Sequence, residues 1–302
     1  MYQALRPSRS EFVALRHLNH HLRIWGQPVA GQAPLVLVHG WMDVSASWQF
    51  VVDALQTQRW IIAPDWRGFG LTRGDGPPPD SYWFPDYLLD LDLLLDHMVG
   101  EQPIDLVGHS MGGNVAMMYS GVRPQRIRKL VNLEGFGMPE TQPAQAPDRY
   151  AQWMDEVKAL QRGESALKAY DSAAAVARRL MKTNPRLPQD KADWLAQQWA
   201  APNANGQWEI LGDAAHKVVN AHLYQVPETL AIYQRISAPL LSITASDDSM
   251  GKWWKGRYSL AQYHERLQAV AQVQTAEIQD AGHMLHHDQP QALAQLIENF
   301  LA

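Results

Sequence analysis

The amino-acid sequence predicts an α/β protein: a mostly parallel central sheet flanked by helices, with a helical segment inserted into it. Three observations lead there. Short continuous apolar runs recur along the chain, as in strands buried on both faces. Segments with helical spacing separate those runs, the rhythm of a parallel sheet with crossover helices. The alternation then stops from about residue 137 to 237, where the pattern turns helical, and resumes afterwards.

The elements follow in order. "HHLRIWG" (20–26) alternates and reads as a strand, and "APLVLVHG" (33–40) is an apolar run closed by glycine. "WQFVVDALQTQ" (48–58) has helical spacing, and "RWIIAPD" (59–65) is a second buried strand. "RGFG" and "RGDGPPPD" mark a loop. "FPDYLLDLDLLLDHMV" (84–99) carries a proline near its start and apolar residues at helical spacing. "IDLVGHS" (104–110) is a third buried strand, "GGNVAMMYSGV" the helix after it, and "IRKLVNLEG" (127–135) a fourth strand. In the segment that follows, Ala, Gln, Arg and Trp abound and no strand stands out. "APLLSIT" (238–244), "LAQYHERLQAV" (260–270), "VQTAEIQDAGH" (273–283) and "PQALAQLIENFLA" (290–302) complete the series as strand, helix, strand and helix. Residues 1–136 and 238–302 are therefore expected to form the core, and 137–237 a helical cap.

Composition narrows the function classes. With 302 residues the chain can bury one large core. Lys plus Arg number 26 against 31 Asp plus Glu, and the net charge of -5 speaks against nucleic-acid binding. The densest basic run, "RPQRIRK" (123–129), is short and reads as a solvated helix end. There is no cysteine, hence no disulfide, thiolate nucleophile or Cys-ligated metal. The first residues lack the apolar stretch of a signal peptide, and no window approaches the ~20 apolar residues of a spanning helix. The expectation is a cytoplasmic enzyme acting on a small molecule, with no nucleic-acid or membrane partner. No feature speaks to oligomeric state.

Gly108-His109-Ser110-Met111-Gly112 falls between a buried strand and a helix. A nucleophile is exposed on such a sharp, strained turn, and small flanking residues let strand and helix approach. A serine hydroxyl needs a base. His283, after Gly282 in the last loop, is favoured over His286 and His287, which read as polar residues at the start of the closing helix. An acid must orient the base. Asp248, beyond the strand of "LLSITASDDSM", is favoured over Asp247, and Glu134, at the end of the fourth strand, is the competing acid. The backbone N–H groups of Met111 and of Trp41, with Met42 next, would hold an oxyanion. His39 reads as a turn histidine that holds its loop.

The motifs "HGWMD", "DWRGFGLT", "GHSMGG", "SITASDD" and "AGHMLHHDQP" appear in the order of the α/β-hydrolase superfamily, and the chain resembles the branch with a helical cap and a serine nucleophile. More narrowly it is similar to serine-hydrolase-like proteins. Dehalogenases and epoxide hydrolases carry aspartate where Ser110 stands, although some dehalogenases place their acid at the position of Glu134. The resemblance implies that Asp65 and Arg67 are structural, with Thr72 standing where the family has serine. It implies acyl transfer to water through an acyl-enzyme on Ser110, with no metal or organic cofactor; the twelve tryptophans point to a small or medium apolar ester, thioester or lactone, with amides and carbon–carbon bonds β to a ketone left open. The alternatives are a cofactor-free lyase or dioxygenase using the His283–Asp248 pair as base, and a non-catalytic binding protein. Trp153, Trp194, Trp199, Trp208, Met154 and Met181 could be cap core or pocket wall, with Trp41, Trp48, Trp253 and Trp254 as further lining.

Overall fold

The structure, a computed structural model, describes residues 2–302. The strands are β1 (Arg9–Leu15), β2 (Leu18–Trp25), β3 (Leu35–Val38), β4 (Ile61–Pro64), β5 (Arg73–Gly74), β6 (Ile104–His109), β7 (Ile127–Leu133), β8 (Ala169–Tyr170), β9 (Ala200–Pro202), β10 (Trp208–Ile210), β11 (Leu240–Ala245) and β12 (Val273–Ile278). The α-helices are α1 (Gln49–Ala54), α2 (Phe84–Val99), α3 (Met111–Val122), α4 (Ala146–Gln161), α5 (Ala173–Thr183), α6 (Gln189–Trp199), α7 (Val226–Tyr233), α8 (Ser249–Trp254), α9 (Leu260–Leu267), α10 (Leu285–Asp288) and α11 (Pro290–Leu301).

The main sheet runs β1-β2-β4-β3-β6-β7-β11-β12, with β5 paired to β2. From β4 to β12 every neighbouring pair is parallel, and β1, β2 and β5 add an antiparallel edge. The period of two in a strand sorts its side chains onto two faces. Along β3, Val36 and Val38 enter one apolar core beneath α2, α3 and α9, while Leu35 and Leu37 enter a second core with α1 and α11. That is why β3, β4, β6 and β11 read as mainly apolar runs: every residue in them is buried.

Between β7 and β11 the chain leaves the sheet. Here the structure departs from the all-helical reading: β8, β10 and β9 form a small antiparallel sheet beside α5 and α6. Two or three residues per strand are too few to show alternation. A third apolar core sits in this segment, built from Val176, Ala177 and Leu180 on α5 and Ala192, Leu195 and Ala196 on α6, and it takes in Phe50 from α1. Strand β1 was also unread in the sequence. It is an edge strand whose Phe12 is 52% exposed, so its pattern carries no clean inward face.

Candidate active site

Parallel pairing fixes where the candidate residues emerge. In the register of β6 on β7, His109 lies opposite Leu133, and on β11 Leu133 lies opposite Ile243. Ser110 and Glu134 are each one residue past a strand end, side by side at the carboxyl edge of the sheet, where open α/β sheets place their ligands. The Ser110 N–H donates to the Leu133 carbonyl at 2.8 Å, and the Glu134 N–H to the Ile243 carbonyl at 3.1 Å. Both residues are held in left-handed backbone, φ 53° and 55°. Such strain persists only where the surroundings impose it.

The turn at Ser110 depends on its glycines. A methyl group on Gly112 would run into the Val38 and His39 carbonyls, and one on Gly108 into the Gly112 carbonyl. These are backbone atoms that cannot rotate aside. Gly112→Ala is therefore expected to lower stability by about 1–3 kcal/mol, the usual cost of overpacking, read as a fall in the midpoint of thermal unfolding.

The loop after β12 delivers His283. Its Nε2 lies 2.9 Å from the Ser110 Oγ, and its Nδ1 lies 3.2 Å from Glu134 Oε2. The other carboxylate oxygen, Oε1, accepts the Ala245 N–H at 2.8 Å. Trp253, on α8, stands edge-on to the His283 ring at 4.0 Å. Burial pushes the His283 imidazole down to about 3, so it is unprotonated at neutral pH. Burial pushes the Glu134 carboxyl up to about 7, opposed by the Ala245 N–H.

Asp248 is not brought to His283. Its side chain accepts the Gly251 N–H at 2.7 Å and caps α8. Asp247 points elsewhere as well, paired with Arg186 at 3.0 Å and Lys252 at 3.6 Å. The acid beside the histidine is the competing one, Glu134, which extends one apolar strand just as Ser110 extends its neighbour.

The remaining parts surround the serine. Met111 opens α3, so its N–H has no carbonyl in the preceding turn to pair with. The Gly40–Trp41 loop lies against Ser110: a methyl on Gly40 would stand 3.1 Å from the Ser110 Cβ. Met42 takes left-handed backbone at φ 54°. His39 holds the loop as a turn histidine, its Nδ1 2.8 Å from the Gly40 carbonyl and its Nε2 accepting the Trp66 N–H at 3.0 Å. Asp65 accepts the Ser45 and Leu71 N–H groups, and Arg67 pairs with Asp90 at 2.6 Å, both structural tasks. His286 and His287 are not surface residues: they lie on α10 at 1% and 3% exposure, behind His283.

Ser110, Glu134 and His283 open into a cavity of about 1170 Å³. Its walls are aromatic and apolar, with Tyr82, Trp83 and Phe84 on one part of the chain and Tyr150 and Tyr224 on another. Trp41, Trp253 and Trp254 belong to it. Trp48 does not; it is fully buried in the core beneath α1 and α11. Nor do the tryptophans of the inserted segment. Trp194, Trp199, Trp208 and Met181 pack on the third core, Trp153 is half-buried and Met154 is 46% exposed. No helix among the described residues is long and apolar enough to cross a membrane.

Comparison with known proteins bears on the family and the fold. A family model described as alpha/beta hydrolase fold matches residues 33–290. A serine hydrolase-like protein of Danio rerio is 26% identical over 290 residues, 92% of this chain and 84% of that one. A cis-3-alkyl-4-alkyloxetan-2-one decarboxylase of Shewanella oneidensis is 35% identical over 154 residues, 47% of this chain and 44% of the relative. Among solved structures, a thioesterase domain from the curacin biosynthetic pathway superposes with a TM-score of 0.82 at 22% identity, over 96% of this chain and 99% of that one, a likeness of fold.

Proposed function

The chain belongs to the α/β-hydrolase fold family and is a hydrolase, and we propose that it cleaves an apolar carboxylic ester, or a thioester or lactone of like character, through an acyl-enzyme on Ser110. One observation carries this reading: Ser110, His283 and Glu134 stand in hydrogen-bond sequence at the floor of an aromatic cavity. In it Glu134 Oε2 accepts the Nδ1 proton of His283 and holds the Nε2 lone pair toward the hydroxyl. His283 takes the Ser110 proton as Oγ attacks the carbonyl carbon. The negative charge that develops on the carbonyl oxygen would be met by the Met111 and Trp41 N–H groups and by the N-terminus of α3. His283 then returns the proton to the leaving group and activates water to free the acid.

The walls set the expected substrate. A series of p-nitrophenyl esters should show kcat/KM rising from acetate to medium chains, because each added methylene gains contact with the aromatic lining. A profile that falls from acetate onward would overturn the apolar assignment.

The pH profile follows from the two buried groups. As pH falls through about 7, the Glu134–His283 pair takes up a proton. Whichever member holds it, either the base is lost or the Nδ1–H loses its acceptor. The acid limb of kcat/KM should therefore lie near pH 7, with activity present above it and lost below. In Glu134→Gln the residual activity should have its limb at lower pH, since only His283, pushed down to about 3, then titrates.

A further inference from the structure

Behind His283 lies a second group of titratable side chains that the proposed reaction does not use. Asp43, His109 and His286 come from three separate parts of the chain, are 3%, 2% and 1% exposed, and line no part of the catalytic cavity. One donor atom from each lies within 4.8 Å of the others, and Asp43 Oδ2 is 3.7 Å from His286 Nε2. Among the described residues, Asp43 Oδ2, His109 Nδ1 and both ring nitrogens of His286 are buried without a hydrogen-bond partner. Buried polar atoms in a folded protein are almost always satisfied, so a group left bare in this way calls for an occupant.

We propose that Asp43, His109 and His286 form a binding site for a divalent first-row transition-metal ion of the zinc class. Two imidazoles and one carboxylate suit zinc, cobalt, nickel or copper, and do not suit magnesium, which takes oxygen ligands. Three protein ligands leave a fourth position for water. Bonds of about 2.1 Å at tetrahedral angles set donors about 3.4 Å apart, close to the Asp43–His286 separation.

The surroundings already hold two of the three ligands as a metal site would. Asp43 Oδ1 is anchored by the Val44 N–H and the Trp199 Nε1–H, each at 2.9 Å, and by the Ser47 hydroxyl, which leaves Oδ2 free. His109 Nε2 donates to the His283 carbonyl at 2.8 Å. That bond fixes the proton on Nε2 and leaves Nδ1 as a bare lone pair, the second-shell pattern that orients ligating histidines. The same bond ties the site to the backbone of the proposed general base.

The test uses the full chain, stripped with a chelator and titrated with Co²⁺. The expected result is one ion per chain with a visible d–d absorption of nitrogen–oxygen coordination, displaced by Zn²⁺ and not by Mg²⁺. Both Asp43→Asn and His286→Leu should weaken uptake by at least about 10-fold. Absence of stoichiometric uptake, or uptake unchanged in both variants, would overturn the proposal. Should either variant fail to fold, wild-type crystals soaked in Zn²⁺ decide it. An anomalous peak between the three side chains supports the site, and ordered water alone there contradicts it.

Discussion

Ser110→Ala should abolish ester turnover, with kcat reduced on the order of 10⁶, while the protein keeps its fold. The size follows from the role. Without the hydroxyl there is no acyl-enzyme, and the N–H donors and the cavity can only assist direct attack by water. The small effect on stability follows from the geometry. The Ser110 side chain contributes one hydrogen bond, to His283. Alanine leaves in place the Ser110 N–H bond to Leu133 and the Asn114 N–H bond to the Ser110 carbonyl. Stability should therefore change by less than about 1 kcal/mol, which circular dichroism and thermal unfolding would read beside the kinetics. A large loss of stability would make Ser110 a structural residue of the turn.

Glu134→Gln should cost about 10⁴ in kcat, the scale seen when a histidine is held in the wrong tautomer. The amide replaces one carboxylate oxygen by NH₂, and both oxygens are committed here. If the amide oxygen keeps the Ala245 N–H, the NH₂ faces His283 Nδ1. Nδ1 must then accept, its proton moves to Nε2, and Nε2 confronts Ser110 as a donor where a base is needed. The reverse orientation leaves the buried Ala245 N–H against a donor. Asp248→Asn should change kcat by less than about 2-fold, because asparagine caps a helix as well as aspartate does. The pair of variants, assayed on one ester, separates the two acids: a crippled Asp248→Asn beside a healthy Glu134→Gln would reverse the assignment.

Most of the sheet was legible because burial on both faces leaves its own mark. β3, β4, β6 and β11 are short, mainly apolar runs in which every residue is buried, with Asp105 of β6 held by Arg59 and Arg128. Ser110 and His283 were legible for a related reason. Ser110 lies one residue past the buried strand β6, between Gly108 and Gly112, and His283 follows Gly282 in the loop after β12. The acid was harder. Asp248 and Glu134 both follow strands, and sequence distance past the strand end does not show which way a side chain turns. Two facts put Glu134 rather than Asp248 beside His283: the register of β7 between β6 and β11, and the left-handed backbone at Glu134. The Asp248 side chain is drawn into a local task, the cap of α8, through a residue only three positions on. For the inserted segment both readings, cap core and pocket wall, were open. Trp194, Trp199 and Trp208 pack against the core that α5 and α6 build for themselves. The cavity walls come from Trp41, Trp253 and Trp254, which the sequence offered as lining, and from Tyr82–Phe84, Tyr150 and Tyr224, which no periodicity announces.

The central claim is an activated serine at residue 110. A fluorophosphonate probe tests it most directly, with intact mass and peptide mapping on the folded protein. The expected result is one adduct per chain, confined to Ser110, formed rapidly by the wild type and lost in His283→Ala. A folded protein that takes no label, or takes it at another serine, would contradict the account.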